Sequence, residues 1–278
     1  MRNKRYRFMS LFMSVLVFFS ILIVPAADQV SAASKKTYYL PVKTTAYQKT
    51  GDSWELDKDD CYSFSFNSKG DLTKYKTNIG FPGTTTIRWT YGKNGKPKKA
   101  VVKTKKFSYV TTLKYNRKGK LTSFSTFSPG DGEIRDARWT RKYCYNKKGY
   151  MYRIRSTLDS LRCKYSIRYY KSGIPSEITE GKSIYKYNRQ GLLTENIYDG
   201  DSEFYEYSYD SKGRVSDVIS YSMNENGEKI ESIKIVYTYG KAKTTDKRKY
   251  IGFMGGTVWG HSPITDVTGY PFPEHIAF

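Results

Sequence analysis

Aromatic and polar side chains alternate along residues 204–221, which is the pattern of antiparallel strands with one buried face. A three-residue loop with a bulge, at 211–213, divides this segment and places Tyr209 opposite Val215. The same register predicts Tyr207 opposite Asp217 and Tyr205 opposite Ile219. One predicted face is aromatic and aliphatic: Tyr205, Tyr207, Tyr209, Val215, Ile219 and Tyr221. The other face is mostly polar: Phe204, Glu206, Ser208, Arg214, Ser216, Val218 and Ser220.

Other segments alternate less cleanly, but none has a convincing helical period. A second turn at 224–227 leads into a further predicted strand over 228–239. The sequence therefore predicts an all-β fold, an antiparallel meander of repeated β-hairpins. About 14 to 16 strands would form a long sheet that must twist or curl, and open and closed sheets both fit the pattern.

A short motif recurs in the predicted hairpins: an aromatic residue, Asn or Asp, two polar residues, Gly, any residue, and an apolar residue. Copies lie at 66–72, 115–121, 145–151, 187–193 and 209–215, with looser copies at 91–95 and 170–173. The motif glycines are about 24 residues apart on average, a spacing that indicates a repeat architecture.

The motif has the chemistry of a hairpin turn. An Asn or Asp side chain accepts hydrogen bonds from its own backbone, and Gly supplies the positive φ that a three-residue loop requires. The predicted turn residues are Asn67, Gly70, Asn116, Gly119, Asn146, Gly149, Asn188, Gly191, Asp210 and Gly213.

The motif at 209–215 resembles the YD repeats of the Rhs type, and its Asn-containing relatives are similar to it. The resemblance covers roughly residues 62–240. It implies a secreted or surface β-repeat protein, since large family members form shells around a C-terminal toxin and bind carbohydrate or neighbouring cells. The chain is short and lacks a recognisable toxin domain, and the resemblance supplies no catalytic residues.

Residues 1–32 have the three-part layout of a secretory signal peptide. Four positive charges precede an uncharged, mostly apolar stretch over 8–27, and small residues favour cleavage after Ala32. The alternative is an uncleaved membrane anchor, because about 20 apolar residues can just span a bilayer. We therefore expect a secreted protein of Gram-positive character, possessing a lead-in segment (33–61), a repeat domain (62–240) and an irregular capping tail (241–278).

Charge is distributed unevenly along a chain of net charge +22. Residues 84–173 contain 24 Lys and Arg and four acids, whereas residues 194–233 contain three Lys and Arg and ten acids. A basic surface concentrates polyanions, which outside a Gram-positive cell are teichoic acids and acidic glycans. Extracellular nucleic acid is a second option. The alternative is that the lysines keep the protein soluble and prevent edge-to-edge aggregation.

The candidate residues for polyanion or glycan binding follow from this basic block. They are Lys93, Lys96, Lys98, Lys99, Lys103, Lys105, Lys106, Arg117, Lys118, Lys147 and Lys148.

No catalytic or metal-binding motif is convincing, and no cofactor is predicted. Both histidines, His261 and His275, lie near the C-terminus without an identifiable partner. We therefore expect a non-catalytic binding or structural module of the cell surface or wall. One alternative is a carbohydrate-active enzyme similar to glycan lyases, which would need Tyr, Arg and an acid converging in a deep cleft. Another is an accessory fragment of an Rhs-type toxin system.

Overall fold

The computed structural model describes residues 36–77, 85–103, 108–129, 137–147, 149, 151–156 and 165–258. The predicted signal peptide lies outside the described residues, and so does the part of the tail beyond residue 258. The same holds for three candidate binding residues, Lys105, Lys106 and Lys148, and for both histidines.

Within the described residues, sixteen strands are followed by one helix. The strands are β1 (Tyr38–Thr50), β2 (Ser53–Phe66), β3 (Leu72–Thr77), β4 (Thr85–Tyr91), β5 (Pro97–Lys103), β6 (Ser108–Tyr115), β7 (Leu121–Ser128), β8 (Ala137–Tyr145), β9 (Met151–Ser156), β10 (Tyr165–Tyr169), β11 (Pro175–Glu180), β12 (Ser183–Tyr187), β13 (Leu193–Tyr198), β14 (Asp201–Tyr209), β15 (Val215–Met223) and β16 (Lys229–Thr244). The helix is α1 (Lys247–Val258).

All sixteen strands form one antiparallel sheet, so the predicted all-β meander is confirmed. Each strand pairs with its neighbours in sequence, except that β1 also pairs with β16 and no ladder joins β9 to β10 in the described residues. These two edge strands nevertheless come into contact, so the sheet curls until it nearly closes. The segment 33–61, expected to be a lead-in, instead contributes β1 and most of β2, because β1 completes the sheet beside β16.

The motif turns have the local geometry that their sequence favours. In the turn after β14, the Gly213 N–H donates to the carbonyl of Asp210 at 2.9 Å. The Asp210 carboxylate accepts from the backbone N–H groups of Lys212 and Arg214, each at 2.9 Å. Gly213 has φ of +69°, in the left-handed region where a Cβ is costly.

The motif turns all lie at one end of the sheet. Consecutive strands run in opposite directions, so every second connection is at the same end. The connections that follow β2, β4, β6, β8, β10, β12 and β14 are the seven motif turns in the described chain. We call this end the turn rim, and helix α1 begins there because β16 ends there, with Thr244 opposite Tyr38.

Beyond the predicted bulged loop, a further β-bulge follows each motif turn and corrects the predicted register. Tyr209 lies opposite Val215 as expected, but Ser208 lies opposite Asp217, so Ser216 is the extra residue. Tyr207 therefore faces Val218, not Asp217, and Tyr205 faces Ser220, not Ile219. The prediction was wrong because strict alternation has no place for an extra residue.

Correcting the register also moves side chains to the other face. Val218 is buried beside Tyr205, whereas Phe204 and Tyr221 stack on the opposite face with ring centroids 5.4 Å apart. In the repeat, the second and fifth positions after Gly thus face the buried side, as the apolar residues Leu121 and Phe124 do.

Threonines at the bulge satisfy the backbone there. The hydroxyl of Thr122 donates to the carbonyl of Lys114 at 3.1 Å, and Thr194 donates to Lys186 at 3.1 Å. Thr73 repeats the contact. Because a bulge disrupts the ladder, these hydroxyls supply the carbonyls with donors.

Helix α1 packs against the buried face of the sheet. Phe253 contacts the rings of Phe64 and Phe66 at 4.8 and 5.3 Å between centroids, and Thr257 lies 3.1 Å from the hydroxyl of Tyr237. The tail predicted to be irregular is therefore helical over Lys247–Val258. The sequence has no clear helical period here, because the buried residues Ile251, Phe253, Met254 and Thr257 lie on several sides of the helix.

Candidate functional site

Basic side chains lie at many positions on the outward face between strands β3 and β9. We call this surface the outer basic face. Its members are Lys74, Lys76, Arg88, Lys99, Lys103, Lys114, Arg138, Lys142 and Arg155. Each alternates along its strand with residues of the buried face, as Lys99 and Lys103 do with Ala100 and Val102.

Like charges lie directly opposite one another on this face. Lys74 is the cross-strand partner of Arg88, and Lys142 is the partner of Arg155. Side chains in such positions are close neighbours, so pairs of equal charge destabilise the sheet. This unfavourable pairing occurs at two separate places on the outer basic face.

Counter-charges are absent from the neighbouring sequence. Residues 72–130 contain 14 Lys and Arg and no Asp or Glu. Among the described residues, no member of the outer basic face forms an ion pair. This part of the surface is therefore cationic without compensation from the described acids.

The other half of the sheet is arranged differently. Arg168, Glu177, Lys186 and Glu195 are successive cross-strand partners on β10 to β13. Their charges alternate, with Arg168 3.4 Å from Glu177 and Lys186 2.7 Å from Glu195. Cross-strand partners of opposite charge thus neutralise the row on β10 to β13. The basic residues on β3 to β9 have no such acidic partners in the described strands.

The predicted binding residues separate into three groups. Lys98, Lys99 and Lys103 lie on β5, where all three are exposed. Four exposed residues lie in motif turns on the rim: Lys93, Arg117, Lys118 and Lys147. Lys96 is half-buried and lines a cavity inside the rim.

This rim cavity has a volume of about 810 Å³ and lies between the motif turns and the start of helix α1. Its cationic lining residues are Lys69, Lys96, Lys120, Lys247, Arg248 and Lys249. Its acidic lining residues are Asp71 and Asp246. Tyr91, Tyr115, Tyr145 and Tyr169 also line it, so it combines aromatic walls with an excess of positive charge.

Two lysines of the rim cavity are held in the same way. Lys96 donates to the carbonyl of Gly119 and lies 5.3 Å from the ring centroid of Tyr115. Lys120 donates to the carbonyl of Gly149 and lies 5.2 Å from the ring centroid of Tyr145. Burial and the nearby charges of Arg248 and Lys118 lower the pKa of Lys120.

Both acids of the rim cavity are already engaged. The Asp71 carboxylate forms an ion pair with Lys249 and accepts from the Asn67 amide at 3.0 Å. Asp246 caps helix α1 by accepting from the backbone N–H groups of Arg248 and Lys249, at 2.9 and 3.3 Å. None of the other cationic lining residues forms an ion pair with a described residue.

Sequence reasoning missed the cationic residues of the cavity other than Lys96. A usable signal was present, because Lys96 and Lys120 both follow a motif glycine directly and so occupy one position of the repeat. The basic residues at 247–249 carry no such signal, since their place beside the cavity depends on how α1 packs against the sheet.

Two features are absent from the described part of the chain. No cluster of three or more His, Cys, Asp or Glu side chains suited to a metal ion occurs there. No helix among these residues is long and apolar enough to cross a membrane. Asp199, in the acidic turn after β13, pairs with Lys182 at 2.7 Å.

No protein-family model matches the chain, and no curated protein matches it. Among solved structures, it is similar to a porin-like protein from Bacteroides uniformis, with 16% identity and a TM-score of 0.47, over 73% of this chain and 99% of that one. It is also similar to a TcdB2-TccC3-TEV chain, with 13% identity and a TM-score of 0.33, over 68% and 12% of the two chains.

A further similar structure is a Tc holotoxin pore from Photorhabdus luminescens, with 9% identity and a TM-score of 0.28. The match covers 69% of this chain and 14% of the toxin chain, so this chain spans a small part of the toxin's length. The structural neighbours thus include TccC3-containing toxin chains, and the resemblance to YD repeats stays a prediction.

Proposed function

We propose that the protein is a secreted, non-catalytic binding module of the cell surface that associates with anionic wall polymers through its outer basic face. The observation that carries this proposal is the pairing of like charges across strands, at Lys74 with Arg88 and at Lys142 with Arg155. A polyanion lying across the face would convert this repulsion into attraction. Teichoic acids and acidic glycans have the required charge.

Solubility alone accounts less well for this arrangement. Lysines that prevent edge-to-edge aggregation belong on edge strands. Lys99 and Lys114 lie instead on β5 and β6, which are paired on both sides. Solubility also needs only a net charge, and it gains nothing from placing two cations opposite each other.

Two observations weigh against the glycan lyase alternative. Such an enzyme needs a Tyr that can exchange protons near neutral pH. Burial raises the pKa of Tyr115, in the rim cavity, far above its ordinary value. Both acids that line the cavity are engaged, Asp71 with Lys249 and Asp246 at the helix cap.

The proposal can be tested by co-sedimentation with purified teichoic acid. In a face variant, Lys74→Gln, Lys99→Gln, Lys114→Gln and Lys142→Gln remove four charges from the outer basic face. In a matched control, Lys212→Gln, Lys234→Gln, Lys241→Gln and Lys243→Gln remove four charges from the side of β14 to β16. We expect the face variant to bind at least tenfold more weakly and the control to bind like the wild type.

If both variants bind teichoic acid equally weakly, binding depends on net charge and not on the outer basic face, which would contradict the proposal. Competition by double-stranded DNA at equal phosphate concentration identifies the preferred polymer. Stronger binding to DNA than to teichoic acid would indicate that nucleic acid, and not wall polymer, is the partner. Release of unsaturated sugar products, followed by absorbance, would favour the enzyme alternative.

A further inference from the structure

We propose that the rim cavity is a second site, separate from the outer basic face, which binds a small ligand carrying a phosphate group. The cavity volume of about 810 Å³ suits a small molecule, because ligand pockets are typically about 300 to 1,000 Å³. A polymer strand lying on the outer basic face does not reach it, since the cavity is lined by the motif turns and α1 on the buried side of the sheet.

The charge of the lining indicates an anion. Six cationic side chains line the cavity against two acids, and both acids are engaged within the protein. The cations come from three parts of the fold: the turn after β2, the residues that follow Gly95 and Gly119, and the first turn of α1. Their convergence is therefore a product of the tertiary structure, since no single run of sequence contains them all.

The first turn of α1 supplies an independent indication. It contains Lys247, Arg248 and Lys249 and no acidic residue. Positive side chains near a helix N-terminus are unfavourable, because the helix dipole is positive there. Asp71 neutralises Lys249, whereas neither Lys247 nor Arg248 forms an ion pair with a described residue. A bound anion would relieve this unfavourable arrangement.

The lysines that face the cavity are already fixed in position. Lys96 and Lys120 each donate to a glycine carbonyl and lie over a tyrosine ring, so little side-chain freedom is lost when they bind a ligand. The lowered pKa of Lys120 reflects burial and repulsion from Arg248, and an anion between the two groups would reverse that repulsion. The Tyr115 hydroxyl is buried without a hydrogen-bond partner among the described residues.

Lysine predominates over arginine in the cavity, which favours phosphate over carboxylate. Arginine binds both carboxylates and phosphates through two parallel hydrogen bonds, so the single arginine does not distinguish them. The five lysines act as separate point charges, and together they suit a multiply charged phosphate better than a singly charged carboxylate. The cation–π contacts place ammonium groups over Tyr115 and Tyr145, so these rings stabilise the lysines and are not free to stack on a sugar. The site therefore recognises the charged group more than the rest of the ligand.

Isothermal titration calorimetry with inorganic pyrophosphate at constant ionic strength tests this proposal, with glycerol phosphate and acetate as comparison ligands. We expect the wild type to bind pyrophosphate, with glycerol phosphate weaker and acetate at least tenfold weaker. Lys120→Gln combined with Arg248→Gln should weaken pyrophosphate binding at least tenfold. The face variant at Lys74, Lys99, Lys114 and Lys142 should bind pyrophosphate like the wild type.

Lys247→Gln, at an exposed position, provides a second test if the double variant fails to fold as judged by near-ultraviolet circular dichroism. It should weaken pyrophosphate binding severalfold without changing the spectrum. No binding by the wild type at millimolar pyrophosphate, or equal binding of acetate, would overturn the proposal. Equal loss in the face variant would also overturn it. A face variant that loses teichoic acid binding but still binds pyrophosphate would show that the two sites are independent. The failure of one proposal can therefore be distinguished from the failure of the other.

Discussion

Lys120 lies over the ring of Tyr145, with its ammonium nitrogen 5.2 Å from the ring centroid, and donates to the carbonyl of Gly149 in the same turn. Lys96 makes the same contacts with Tyr115 and Gly119, one repeat earlier. Each lysine thus connects its own turn to the next one around the rim. The repeat thereby builds both the sheet and a set of aligned cations.

The left-handed glycines of the motif turns should be intolerant of a side chain. Gly213→Ala introduces a Cβ where nothing lies within 4 Å, so its cost is backbone strain alone, about 1 to 2 kcal/mol. At Gly119 a Cβ would lie 2.6 Å from the Lys96 ammonium and displace it from Tyr115. Urea unfolding should therefore show a greater loss for Gly119→Ala. A loss no greater than that of Gly213→Ala would contradict the role of Lys96.

The bulge threonines should contribute to stability through their hydroxyls. Thr122→Val keeps the shape of the side chain but leaves the carbonyl of Lys114 without this donor, and we expect a loss of about 1 kcal/mol. The control is Thr238→Val at an exposed position of β16. Equal unfolding midpoints for the two variants would show that the contact does not stabilise the bulge.

The ion pair of Asp71 with Lys249 should hold α1 against the turn after β2. The Asp71 side chain is only 3% exposed, so Lys249→Met leaves a buried carboxylate unpaired and should cost about 3 kcal/mol. The pair of Lys182 with Asp199 is the control, because its side chains are 67% and 57% exposed. Lys182→Met should cost less than about 1 kcal/mol.

A double variant separates this pair from the rest of the helix contacts. If the ion pair is the cause, Asp71→Asn combined with Lys249→Met should cost less than the sum of the single changes. Additive losses in urea unfolding would show that the two residues act independently.

Tyr250 should make stability fall in alkaline solution. Burial raises the pKa of Tyr250 to about 12, so the folded state holds this proton more tightly than the unfolded state does. Its contribution is complete below pH 10 and is lost as the pH rises towards 12, about 3 kcal/mol in all. Tyr250→Phe keeps the ring that stacks on Tyr38 at 5.0 Å and removes the phenol. Parallel stability curves for the two proteins between pH 10 and 12 would contradict the prediction.

Local chemistry explains which parts of the fold could be predicted. The turn at Asn188 and Gly191 depends on a side chain accepting from its own backbone and on a positive φ, and both are visible in the sequence. The bulge at Ser216 has no comparable signal in the sequence, and it changes the cross-strand partner of every residue beyond it. The pairing of β1 with β16 joins the start of the described chain to its last strand and has no motif of its own.

The candidate site shows the same division. The basic block is evident in the sequence, but whether its charges are paired with acids depends on strand register. Register decides that Lys74 lies opposite Arg88 while Lys186 lies opposite Glu195. Charge counts along the chain cannot distinguish these two arrangements.

The salt dependence of teichoic acid binding tests the central claim most directly. On nucleic acids, each neutralised phosphate contributes about 0.7 to 0.9 to the slope of log K against log salt concentration. We therefore expect binding by the wild type to weaken steeply with salt, and the slope of the variant lacking Lys74, Lys99, Lys114 and Lys142 to be smaller by about 3. Binding by the wild type that does not weaken with salt, or an unchanged slope in the variant, would contradict the account.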